Sequence, residues 1–265
     1  MSNIHPTAII EDGAQIGEGC IIGPYCIVGS NVTLGNNCTL KAHVVVEGIT
    51  TIGEGTTIYP FASIGTAPQD LKFKGEPSEL IIGKNNTIRE HATMNPGTKD
   101  GAMKTVIGDN NLFMMATHVA HDCVIGNNVI MANNATLGGH VVIGDNVLLG
   151  GLSAVHQFVR IGSFAVIGGM SGVESDVVPF GRVKGERASL AGLNLIGLER
   201  GGFDKAQIKV IQSAFKAIFE GEGNLDERLD QVAQDNADNE LVSKIVDFAR
   251  HRDKFGLCQP QKKTA

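Results

Sequence analysis

Apolar residues recur at every sixth position along the first two-thirds of the chain, and no other feature narrows its fold as much. The series runs Ile4, Ile10, Ile16, Ile22, Val28, Leu34, Leu40, Val46, Ile52, Ile58 and Ile64, then Ile82, Ile88 and Met94. It continues through Ile107, Phe113, Val119, Ile125, Met131, Leu137, Ile143, Leu149, Val155, Ile161, Ile167 and Val173. An α-helix, with about 3.6 residues per turn, would spread these positions around its circumference. Strict strand alternation does not produce a period of six either. Short strands that turn a corner every six residues do, with one aliphatic side chain per hexad pointing inward. The corners require left-handed backbone angles, which Gly and Asn tolerate. Asn36-Asn37, Asn85-Asn86, Asn110-Asn111, Asn127-Asn128 and Asn133-Asn134 fall at such corners. With 34 Gly, no Trp and two Tyr, the composition suits tight corners around a thin aliphatic core. Three hexads make one triangular coil, and coils stack at the inter-strand spacing of about 4.8 Å.

Two segments interrupt the period, at 66–81 and 96–106. Loops expelled from a regular solenoid tend to be functional. The first, with Gln69, Asp70 and Lys72, is favoured for a role, whereas the second carries no such signal. The period ends near Pro179, and from Ser189 the apolar spacing turns helical. Ile208, Ile211, Phe215, Ile218 and Phe219 form one stripe behind an Asp204 cap. Asn224 caps a helix over Leu225–Gln234, and Leu241, Ile245, Val246 and Ala249 mark a last helix. The expected organisation is mainly β: a parallel β-helix over residues 1–186 and a helical C-terminal domain over 187–265, with a frayed basic tail from Lys254.

A net charge of −6 argues against a nucleic-acid binder. The five cysteines, Cys20, Cys26, Cys38, Cys123 and Cys258, show no metal-ligand spacing and read as reduced thiols of a cytoplasmic protein. The opening Met1-Ser2-Asn3-Ile4-His5-Pro6 lacks the basic and apolar runs of a signal peptide, and no apolar stretch is long enough to insert in a membrane.

Four of the eight histidines lie close together. His121 and His140 are 19 residues apart, and His140 and His156 are 16 apart, each step near one coil. The repeat therefore predicts imidazoles on successive layers, with His118 across the neighbouring corner. Three readings compete: corner residues without a role, a zinc site, or a general base with substrate-positioning neighbours. Asp122 follows His121 and can orient its ring and stabilise its protonated form, which favours the third. No activated nucleophile accompanies the cluster, so direct transfer is expected rather than a covalent enzyme intermediate. Gly138-Gly139 would leave a backbone N–H exposed as an oxyanion donor.

Several strings together resemble a known family: Gln69-Asp70-Leu71-Lys72, Ile88-Arg89-Glu90, His118-Val119-Ala120-His121-Asp122-Cys123, Ala132-Asn133-Asn134-Ala135-Thr136-Leu137, Gly139-His140, Ala154-Val155-His156-Gln157-Phe158 and Gly197-Leu198-Glu199-Arg200. They are similar to the acyl-carrier-protein–UDP-N-acetylglucosamine O-acyltransferases, hexapeptide-repeat enzymes of lipid A biosynthesis, over nearly the whole chain. The resemblance implies left-handed coils, against the usual crossover rule, and a homotrimer with clefts between neighbouring β-helices. It implies transfer of an (R)-3-hydroxyacyl group from acyl carrier protein to the glucosamine 3-hydroxyl of UDP-N-acetylglucosamine, without cofactor or metal. His121 would be the general base, Asp122 its partner and the Gly139 N–H the oxyanion donor. Gln69, Asp70, Lys72, His118, His140, His156 and Gln157 would position sugar or acyl group, Gly169 would line the acyl channel, and Asn194 and Arg200 would hold the UDP. Where the family commonly has a second Arg after Arg200, this chain has Gly201. Rival expectations are an N-acyltransferase of the same superfamily, a non-catalytic scaffold, or a His-ligated zinc hydratase.

Overall fold

A computed structural model describes residues 1–252 and 255–261. Strands of mostly two residues, separated by corners of about four residues, wind into a left-handed parallel β-helix with three flat faces. The first face begins at Asn3–Ile4 and gathers eleven strands. The second begins at Ile9–Ile10 and holds nine; the third begins at Gln15–Ile16 and holds eight. Pairing advances 18 residues per coil, as from Asn3 to Ile21 and from Val106 to Val124. Twice it advances further: 30 residues from Thr57 to Thr87 and 25 from Thr93 to His118. Both excursions leave the edge between the second and third faces, after Ser63–Ile64 and after Thr93–Met94.

The sixth-position aliphatics point inward, and from Ile22 onward every one is almost fully buried. Burying each contributes roughly 1.5–3 kcal/mol. Ile4, Ile10 and Ile16 are partly exposed because no coil lies beneath them. Each hexad also buries a second residue, two positions earlier: Cys20, Cys26, Val32, Cys38 and Val44 in the first coils, Cys123, Val129, Ala135 and Val141 around the histidines. One inward side chain per hexad was therefore an undercount. The second position sits toward the corner and is filled mostly by small or medium side chains, with Leu80 as the largest. Four of the five cysteines occupy it, with thiols donating to carbonyls of the next coil, as Cys123 Sγ does to Gly138 O at 3.3 Å.

The corners take left-handed backbone angles as expected: Asn37, Asn85, Asn110, Asn128 and Asn134 have φ between 55° and 61°. Asp122, His140 and Phe158 share that conformation on the edge between the second and third faces, with φ of 59°, 62° and 68°.

Ser189–Leu193 is a strand, antiparallel to Gly181–Lys184, and not the start of a helix. With Gly185 at positive φ in the turn and Gly192 at positive φ toward the far end of the second strand, the hairpin caps the first face before helical spacing begins. Four helices follow: α1 (Leu195–Arg200), α2 (Lys205–Glu220), α3 (Leu225–Asp235) and α4 (Glu240–Arg250). Asp204 and Asn224 each form a reciprocal capping box, with Gln207 and Glu227. Helices and β-helix share one continuous core. Arg160 on the third face ion-pairs Asp176 at 2.6 Å and lies 4.4 Å over the Phe248 ring of α4. The expected frayed tail is instead partly ordered, because Leu257 bridges Asp176, Pro260 bridges Leu190, and Cys258 is buried. Lys254, Lys262 and Lys263 lie outside the described residues.

Candidate active site

Successive coils stack their corners, so residues on one edge form a column. His121 and Asp122 sit on the edge between the second and third faces, followed one coil on by Gly139 and His140, and next by His156, Gln157 and Phe158. The His121 and His140 rings meet edge to face at 5.1 Å, and His140 stacks on Phe158 at 4.4 Å. Phe158 carried no signal of its own in the sequence; its value comes from lying one coil above His140.

His121 Nδ1 bonds Asp122 Oδ2 at 2.8 Å. Since a carboxylate only accepts, the proton sits on Nδ1 and the Nε2 lone pair is free. The Asp122 side chain is 1% exposed. It accepts from the Thr98 hydroxyl at 2.7 Å, the Thr98 N–H at 3.1 Å and the Ala102 N–H at 2.8 Å. Burial opposes its charge, yet the hydrogen bonds from Thr98 and His121 prevail and hold its pKa below the ordinary 3.8. Burial lowers the pKa of His118, with His121 adding to the effect, and burial likewise lowers that of His140.

Gly139 lies against the His121 ring, where an added Cβ would sit 2.6 Å from Cε1 and 2.7 Å from Nε2. Among the described residues its N–H meets no acceptor. His118 lies on the second face and shares a hydrogen bond of 2.7 Å between Nδ1 and Thr93 Oγ1. Asp70 and Lys72, in the first loop, are close enough to act electrostatically on His140. Lys72 pairs with Asp100 of the second loop at 3.3 Å, and a recess of about 350 Å³ between the loops is lined by Asp70, Lys72, Thr98 and Asp100. Gln69 is exposed beside them.

His156 stays on this edge but is exposed, its ring against Phe255 at 5.2 Å. The remaining predicted residues are not gathered here. Gly169 sits on a different edge, between the first and second faces. Asn194 caps α1 through the Gly197 N–H and donates to Phe164 O at 2.8 Å, on the third edge. Arg200 is exposed at the end of α1, and Gly201 has no space for a side chain because Phe164 lies against it. A larger cavity of about 730 Å³, between α4 and the third face, contains none of these residues.

His121, Asp122 and His140 place potential ligand atoms within 4.8 Å of one another. A metal would nevertheless find no free lone pair on Asp122, whose roughly four acceptor sites meet four donors. Cys123 is no nucleophile at neutral pH, since burial pushes its thiol up to about 12.

Family models match at residues 13–48 and 104–139, as bacterial transferase hexapeptide repeats, and at 176–258, as the second domain of UDP-N-acetylglucosamine O-acyltransferase. Acyl-[acyl-carrier-protein]–UDP-N-acetylglucosamine O-acyltransferases of Rickettsia canadensis and Rickettsia rickettsii are 56% and 61% identical, over 98% of this chain and 99% of theirs. A crystal structure of a UDP-N-acetylglucosamine acyltransferase superposes with a TM-score of 0.95 at 43% identity, covering 98% of this chain and 100% of that one. The enzyme from Campylobacter jejuni gives 0.93 at 41%, with the same coverage. Fold, repeats, helical end and full-length identity agree, and the chain belongs to the acyl-[acyl-carrier-protein]–UDP-N-acetylglucosamine O-acyltransferase family of acyltransferases.

Proposed function

We propose that this acyltransferase moves an (R)-3-hydroxyacyl group from acyl carrier protein to the glucosamine 3-hydroxyl of UDP-N-acetylglucosamine, the first step of lipid A biosynthesis. His121 Nε2 removes the hydroxyl proton as the oxygen attacks the thioester carbonyl. Asp122 stabilises the imidazolium, and the Gly139 N–H receives the oxyanion. The carrier thiolate leaves and takes up the proton. The observation that carries this reading is the 2.8 Å bond from His121 to a fully engaged carboxylate, with an unpaired Gly139 N–H beside the same ring.

A homotrimer with sites between protomers accounts for the scatter of the other residues over three edges. The edge between the first and second faces exposes Tyr25, Phe61, Leu152 and Met170, a run of apolar surface suited to burial against another copy. Gly151 and Gly169 stack there without side chains, as an acyl channel requires. Gly169, Asn194 and Arg200 would then serve the histidine edge of a neighbour, while Gln69, Asp70, Lys72, His118, His140, His156 and Gln157 act on their own edge. The chain is read as two domains, 1–186 and 187–265, acting in the cytoplasm. No helix among the described residues is long and apolar enough to cross a membrane.

The test is His121→Ala, assayed with defined acyl carrier protein thioesters and UDP-N-acetylglucosamine, with products read by mass spectrometry. Loss of a general base costs about 10²–10⁴-fold in rate. Near-native turnover in a folded variant would refute the assignment, and an N-acylated or unsubstituted-acyl product would redirect the substrate reading.

A further inference from the structure

The second loop follows Met94 and returns at Lys104, one coil before the His121 corner. Its seven extra residues bring Thr98 beneath the Asp122 carboxylate. Thr98 is 2% exposed and spends both its hydroxyl and its N–H on Asp122. Its carbonyl accepts from the N–H groups of Gly101 and Met103, at 3.1 and 3.3 Å, and so closes the loop on itself. Gly101 packs flat on the carboxylate, leaving no space for a Cβ. The first loop braces the second: Glu76 Oε1 accepts from the Lys99 N–H at 3.1 Å, and Asn95 Nδ2, at the second loop's root, donates to Thr66 O at 3.0 Å. The oxygen that takes the Thr98 hydroxyl, Oδ2, is the one that accepts from His121 Nδ1.

We infer that Thr98 is a positioning residue for acyl transfer: its hydroxyl fixes Asp122 Oδ2, and through it the direction and basicity of the His121 ring. The inference rests on His121 being the general base. A buried carboxylate at a left-handed corner could rotate about its side-chain torsions. Thr98 and Ala102 fix it from below, so that only one lone pair remains for the imidazole. The hydroxyl also shares the charge on Oδ2, so that its removal leaves more of that charge facing the imidazolium. The other titratable groups around the His121 ring are His118 and His140, with Asp70 and Lys72 reaching His140 from the first loop.

The experiment compares Thr98→Val, Thr98→Ser and His121→Ala with wild type in full-length enzyme, measuring kcat and KM for UDP-N-acetylglucosamine across pH. Thr98→Val is expected to lower kcat by about 10-fold and leave KM within about twofold. It also moves the acid limb of kcat/KM upward by about 0.5–1 pH unit, because Oδ2 keeps more charge for the imidazolium. Thr98→Ser restores both. Unchanged kcat with an unmoved limb overturns the inference. A uniform loss with an unmoved limb and no rescue by Thr98→Ser also overturns it, leaving Thr98 a structural residue. Should Thr98→Val fail to fold, Thr98→Ala takes its place and NMR titration of the His121 ring gives the reading, an unshifted pKa being the contrary result. If His121→Ala stays active, the proposed mechanism falls and this inference with it. If His121→Ala is inactive and Thr98→Val behaves as wild type, the Thr98 inference alone falls.

Discussion

Gly139→Ala adds one methyl group against the His121 ring and removes no hydrogen-bonding group. The Gly139 backbone does not lie at positive φ, so alanine is not strained by conformation. What it meets is the imidazole, with Cβ 2.6 Å from Cε1. An ordinary carbon contact is about 3.5 Å, so the ring must retreat by about 1 Å. A ring is normally free to do so, but this one is tied to Asp122 Oδ2 at 2.8 Å. Retreat stretches that bond beyond useful length or swings Nε2 off its line. A displacement of about 1 Å at reacting atoms costs about 10²-fold in rate, or about 2.7 kcal/mol of barrier. The Gly139 N–H survives the substitution, so the loss reports the base and not the oxyanion donor. The assay is single-turnover acyl transfer alongside thermal unfolding and size-exclusion profile. The expected variant is folded, assembles like wild type, and is about 100-fold slow. A kcat within about threefold of wild type would refute the claim that the working enzyme holds the ring in this place.

Alkylation offers a second check. Burial raises Cys123 to about 12 and both Cys38 and Cys258 to about 11, so iodoacetamide at pH 8 should leave the folded enzyme unlabelled and fully active. Labelling that parallels inactivation would instead point to a thiol in the mechanism. Acid stability should fall in two stages. His118 and His140 resist protonation when folded, whereas the unfolded chain takes up those protons near their ordinary pKa of 6.5. Their contribution is complete above that value and declines as pH drops below it. Asp122, depressed below 3.8, contributes above that value and loses its contribution as pH falls through its folded pKa. Tm followed from pH 8 to 3 should show both stages, and the double variant His118→Asn, His140→Asn should flatten the upper one. A Tm unchanged between pH 7 and 5 would contradict the first.

Much of the fold is legible in the amino-acid order because a coil is local: every sixth residue faces inward whatever the rest of the molecule does. The period locates the β-helix, the Asn pairs locate corners, and Asp204 and Asn224 mark helix starts. Adjacency of His121 and Asp122 in sequence also suffices to suggest an oriented imidazole. Other features require three dimensions. That Cys123 is a packing residue depends on the next coil closing over it. That Ser189–Leu193 is a strand depends on Gly181–Lys184 being available to pair. Thr98, 24 residues from Asp122, reaches the carboxylate because a seven-residue excursion leaves the coil on the same edge and folds back beneath it. The resemblance implies that Gly169 and Asn194 act with the histidines, yet within one chain they stand on other edges, since the chain turns to a new face at every corner. Period and local chemistry are short-range properties carried by neighbouring residues. The hydrogen bonds from Thr98 and Ala102 that hold Asp122 in place behind the candidate base are long-range, and only the folded-back loop supplies them.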